Sequence, residues 1–146
     1  MTDTTRALII AAPFYEDITE QLVEGAKAYL EEQGASVEVI EVPGAFEIPG
    51  VIALAEQGAK PYDAYVGLGC VIRGETSHYD YVCGESARGL MDLSLHGVCL
   101  GYGILTVENI RQARVRAHVD QKNKGKDAAE AALAMLALKR KFGEAR

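Results

Sequence analysis

The stretch AYVGLGCVIRGETSHYDYV, from Ala64 to Val82, decides the fold. Its first nine residues, Ala64 to Ile72, form an apolar run of strand length, as a strand covered on both faces requires. A helical pattern follows from Tyr79 to Leu95, so strand and helix make one βα unit. The same pairing recurs on either side. Upstream, Ala7 to Ala12 reads as a buried strand, after which Ile18, Leu22, Ala26, Tyr29 and Leu30 recur at helical spacing until Gly34. Val37 to Val42 is a second strand closed by Pro43 and Gly44. A short helix then begins near Ile48 and Pro49 and runs through Val51 to Gln57, with proline tolerated in its first turn. Downstream, Val98 to Leu105 is a fourth strand, and Val107 to Arg116 and Asp127 to Phe142 are two more helices. Four βα units in succession predict a single domain over 1–146, with residues 1–6 expected to be flexible. The expected fold class is α/β: a three-layer, flavodoxin-like sandwich with a parallel four-stranded sheet in the order 2-1-3-4, right-handed crossovers and helices on both faces.

Composition narrows the function classes. Hydrophobic residues make up 49% and charged residues 25% of 146, as in an ordinary globular domain with its own core. A formal net charge of -6 argues against a nucleic-acid binder or a partner of anionic membranes. The charge is uneven: Arg111, Arg114, Arg116, Lys122, Lys124 and Lys126 against Asp120 give one segment +5, leaving -11 for the rest. Such a segment is either a solvated helix end or a site for a small anion. Cys70, Cys83 and Cys99 fit neither a disulfide framework nor a zinc knuckle, and are read as free thiols in a reducing compartment. The polar start and the six-residue first apolar run are too short for a signal core or membrane span, so the expected location is the cytoplasm.

In parallel sheets of this kind ligands collect beyond the carboxyl ends of the strands. The segments to inspect are Pro13-Phe14, Pro43 to Glu47, Arg73 to His78, and Tyr102 to Thr106. Ser77 and Asp80 have the form of a capping box, and a helix starting there would offer free N–H groups to an anion. Gly74 allows close backbone approach, while Thr76 and Ser77 add hydroxyls that are either ligands or plain caps. His78, in the first turn, is biased towards a neutral imidazole that can take and return a proton. The alternative is a surface histidine; His96 and His118 are read as solvated. Phe14 and Tyr102 are either lids on the core or stacking platforms for a flat ligand. Glu47 either accepts from hydroxyls or marks a helix start. No Walker or dinucleotide fingerprint and no cluster of metal ligands is present in the sequence.

Four blocks, GAFEIP (Gly44 to Pro49), GCVIRGETSHYDYV (Gly69 to Val82), GILTVEN (Gly103 to Asn109) and NKG (Asn123 to Gly125), resemble in order and spacing the signatures of lumazine synthases along essentially the whole chain. The resemblance implies condensation of 5-amino-6-(ribitylamino)uracil with 3,4-dihydroxy-2-butanone 4-phosphate to 6,7-dimethyl-8-ribityllumazine, phosphate and water, the penultimate step of riboflavin biosynthesis. It further implies a homopentamer with sites between subunits, no cofactor, no metal, and riboflavin synthase as a candidate pathway partner. Under it Phe14 stacks on the pyrimidine, and Ala45, Phe46 and Glu47 hold the ring and ribityl chain. Val71 and Ile72 offer backbone to the uracil, Gly74, Glu75, Thr76 and Ser77 form the phosphate turn, and His78 transfers protons. From the adjacent subunit come Tyr102 as an aromatic wall, Arg116 for phosphate, and Lys124 with Asp127 beside it.

Two positions depart from the pattern. Pro13 stands where many members have arginine, which puts a local contact in doubt. The segment from Ala117 to Lys122 replaces a glycine-containing stretch common in shell-forming members, which favours a free pentamer over a shell. The rival from another class is a flavin-binding or storage protein that kept the fold without the chemistry; a riboflavin synthase is the third reading.

Overall fold

In the computed structural model, which describes residues 4–143, the apolar run at the start of the stretch Ala64 to Val82 is β3 (Ala64–Ile72), and it lies in the middle of the molecule. It pairs in parallel with β1 (Arg6–Ala11) on one side and with β4 (Leu100–Val107) on the other, and β1 pairs with β2 (Ser36–Glu41). The sheet order is β2-β1-β3-β4, as the βα repeat predicts. β1 and β3 are buried along most of their length, with Val71 and Ile72 half-buried at the end of β3, whereas every residue of β2 is exposed or half-buried, as in an edge strand.

The helices divide between two faces. On one face lie α1 (Glu16–Glu32), α4 (Ile110–Ala117) and α5 (Lys124–Gly143). α1 buries Ile18, Leu22, Ala26 and Leu30, four positions spaced by four residues, so a single stripe meets the sheet. Each such leucine or isoleucine contributes about 1.5–3 kcal/mol through burial. On the other face lie a 3-10 turn (Ala45–Glu47), α2 (Ile48–Gln57) and α3 (His78–Leu95), packed through Ile48, Ile52, Val82 and Leu90. α5 crosses unusually close to its neighbours. A Cβ at Gly101 of β4 would overlap the carbonyl of Ala128, and one at Gly125 would overlap the carbonyl of Leu22 in α1.

Several boundaries move. Val107 is not helical: it is the last residue of β4, paired with Ile72, and α4 starts only after Asn109, whose side chain accepts from the Gln112 N–H at 2.9 Å. α5 begins at Lys124, before the expected Asp127, because Asn123 turns the chain with φ 47 and its carbonyl accepts from Lys126 and Asp127. Of the six residues expected to be flexible, 1–3 lie outside the described residues. Arg6 opens β1, with its N–H on the Asp63 carboxylate at 2.8 Å and its guanidinium 4.4 Å from the Tyr62 ring centroid.

Candidate active site

Where β1, β2 and β3 end, their loops enclose a cavity of about 380 Å³ lined by Phe14, Tyr15, Pro43 to Glu47, Cys70 to Ile72, His78 and Val82. Phe14, Ala45, Phe46, Glu47, Val71, Ile72 and His78 all belong to the expected set, so the structure brings these seven together. Ala45 is buried and forms the floor, while Phe14 and Phe46 are 74% and 54% exposed and stand as open rims. Two aromatic faces that touch so little of their own chain are available to a flat partner. Phe14 meets Tyr15 edge-on at 5.0 Å, and Tyr15 is a lining residue that the sequence reading missed. Its adjacency to Phe14 was the available signal. Glu47 makes no capping hydrogen bond; its carboxylate lies near Gly44, free to accept from hydroxyls.

The turn from Gly74 to Ser77 follows β3 and is exposed at every residue. The expected capping box does not form. Ser77 has φ -73 and ψ -2, already helical, so its hydroxyl makes no cap; Thr76 Oγ1 instead accepts from the His78 N–H at 3.3 Å. Asp80 turns away to the Arg73 guanidinium at 3.5 Å. Arg73 also lies 3.0 Å from the Glu108 carboxylate and 4.3 Å from the Tyr79 ring centroid, and its charged form is favoured by Glu108 first of all. His78 remains exposed at the head of α3, on the cavity's rim.

A second cavity, of about 410 Å³, sits against β4 and the start of α5 and shares no lining residue with the first. Tyr102, Arg116, Lys124 and Asp127 meet here. Tyr102 to Thr106 is not a loop but part of β4 itself, so Tyr102 is presented by a sheet edge. Burial pushes the Tyr102 hydroxyl upward from the usual phenol value, with Cys83 and Tyr79 adding to it, so it stays protonated near neutrality. Lys124 pairs with Asp127 at 3.2 Å. Arg116 is half-buried and donates to the Gln112 carbonyl at 3.1 Å, and it makes no ion pair among the described residues. A partly desolvated guanidinium without a counter-charge is suited to an anion. The expected site is thus divided, with aromatic rims and histidine in one cavity and cations in the other.

Among the described residues no group of three or more His, Cys, Asp or Glu is placed to hold a metal ion. The three cysteines are free, and burial pushes the Cys70 thiol up to about 11, which makes it a packing residue rather than a nucleophile. His96 is exposed beside the Asp92 carbonyl at 2.7 Å, as expected. His118 differs from the expectation: it is half-buried, and its Nδ1 accepts from the Asp120 N–H at 3.1 Å. A third hollow between α1 and β2 is lined by Glu16, Glu20, Glu24 and Glu41, whose carboxylates would repel a phosphate.

Comparison with known proteins places the whole chain in a family. A family model described as 6,7-dimethyl-8-ribityllumazine synthase matches residues 4–140. A 6,7-dimethyl-8-ribityllumazine synthase of Novosphingobium aromaticivorans is 59% identical over 135 residues, covering 92% of this chain and 96% of the relative. That of Bartonella tribocorum is 54% identical over 147 residues, covering 100% and 97%. A third, from Methylorubrum populi, is 57% identical over 141 residues, covering 93% and 83%.

Proposed function

Because the chain belongs to the 6,7-dimethyl-8-ribityllumazine synthase family, we propose that its two cavities are halves of one active site, joined between neighbouring copies. The enzyme is a transferase of riboflavin biosynthesis. It condenses 5-amino-6-(ribitylamino)uracil with 3,4-dihydroxy-2-butanone 4-phosphate to 6,7-dimethyl-8-ribityllumazine, phosphate and water.

The carrying observation is the division itself: each cavity holds chemistry the other lacks. In the first, Phe14 stacks on the pyrimidine, backbone at Val71 and Ile72 pairs with its edge, and Ala45, Phe46 and Glu47 seat the ring and ribityl chain. The turn of Gly74, Glu75, Thr76 and Ser77 takes the phosphate. From the second cavity, Arg116 supplies the cation, Tyr102 closes the site as an aromatic wall and Lys124 borders it. The pyrimidine's own 5-amine is the nucleophile, so no covalent side chain is needed. Loss of water gives a Schiff base, loss of phosphate leaves an enol that tautomerises to a ketone, and attack of the ribitylamino nitrogen on that carbonyl closes the ring with loss of a second water. His78 moves protons in these steps, worth about 10²–10⁴-fold. Holding two reactants in contact contributes up to roughly 7–11 kcal/mol. No cofactor or metal enters this scheme.

The assembly is a homopentamer, free rather than built into a shell. The exposed apolar residues Tyr81, Met91 and Leu95 along α3 support self-association. Free cysteines fit a reducing cytoplasm. Riboflavin synthase, which takes the product onward, is the partner in the pathway.

The deciding experiment mixes the purified protein with both substrates and follows lumazine absorbance above the uncatalysed background. A saturable rise supports the reading. A folded oligomer that gives none, yet binds riboflavin tightly, would put a flavin-storage role in its place.

A further inference from the structure

The turn from Gly74 to Ser77 must grip an anion, yet little packs on it. All four residues are exposed, and a Cβ added at Gly74 would meet no atom within 4 Å. Ser77 makes no cap, and Thr76 holds the His78 N–H at 3.3 Å. So lightly held a segment pays ordering entropy each time it closes on a ligand.

Its two ends are nevertheless tied by one side chain. Arg73, immediately before the turn, reaches the first turn of α3 just beyond it, lying 4.3 Å from the Tyr79 ring centroid and 3.5 Å from Asp80. The same guanidinium is 3.0 Å from Glu108, just past β4. Its main-chain N–H donates to the Val107 carbonyl at 2.9 Å. One planar fork therefore closes the mouth of the turn and pins it to the neighbouring strand, a geometry that a lysine's point charge does not reproduce.

We propose that Arg73 is a positioning residue for phosphate recognition: held by Glu108 and Asp80, it keeps the Gly74–Ser77 turn in its anion-gripping shape without touching the anion. This rests on the condensing reaction proposed above. Two carboxylates already occupy the guanidinium, so what it supplies to the site is order rather than charge.

The test compares Arg73→Gln, Glu108→Gln and the double variant, varying each substrate in turn and titrating inorganic phosphate by calorimetry. The three side chains of the staple are 44–63% exposed, so these changes leave the core intact. Each single variant raises the KM for the butanone phosphate and the Kd for inorganic phosphate by about three- to tenfold. The KM for the pyrimidine and kcat stay within about twofold, and the double variant is no worse than the weaker single, since the pair acts as a unit. Arg73→Lys, a milder change, restores part of the loss. An unchanged phosphate KM in both single variants overturns the proposal, as does a joint collapse of kcat and both KM values. So does weakened phosphate binding in Arg73→Gln but not in Glu108→Gln, which would place the guanidinium on the anion itself. An inactive wild-type protein would instead sink the condensing reaction, which separates the two failures.

Discussion

His78 and Arg116 stand in different cavities, so their loss should be felt in different kinetic constants. Under the proposed roles His78→Ala leaves substrate binding and proximity in place and removes proton transfer; kcat is expected to fall by about 10²–10⁴-fold without reaching the uncatalysed background. Saturating-substrate kinetics on the folded variant check this, and complete loss of turnover would contradict it. Arg116→Ala removes a charged donor that has no ion-pair partner among the described residues, and the KM for the butanone phosphate should rise about ten- to hundredfold. An unchanged KM there would remove its role. The place of His78 on a cavity rim was legible because a loop after a parallel strand, opening into a helix, is a known place for ligands. The Arg73 staple was not, since Asp80 is 7 residues away and Glu108 35, and only the fold brings them to one guanidinium.

At the level of elements, α5 holds Lys124 and Asp127 against β4 because Gly125 and Gly101 allow the backbones to touch. Gly125→Ala should cost about 1–3 kcal/mol through overpacking against Leu22, seen as a lower thermal midpoint, and a midpoint equal to wild type would show that α5 can step aside. The strands were readable because an apolar run of strand length has a single use in a parallel sheet; β3 matched to the residue. Boundaries were less so. Val107 fits a helix or a strand on composition and is settled only by pairing with Ile72, and the cap at Asn109 marks where the helix can begin. The capping box at Ser77 failed for a related reason: Ser77 is already helical, so its hydroxyl makes no cap, and Asp80 faces Arg73 at 3.5 Å instead.

For the whole molecule, the proposed division of the site between copies makes a direct prediction. His78→Ala and Arg116→Ala proteins, each impaired alone, should regain activity when dissociated together and reassembled, because some interfaces then pair one intact half with another. Absence of any recovery, with mixed assemblies confirmed by native mass spectrometry, would mean that each copy completes its own site. The two cavities are unlike surfaces, so copies joined through them meet head to tail rather than like to like. An open row of such copies always ends in one unused aromatic half and one unused cationic half. In the proposed assembly only a closed ring has as many finished sites as chains, so activity per chain becomes a gauge of ring closure, and dilution is expected to silence the enzyme by opening rings before any chain unfolds.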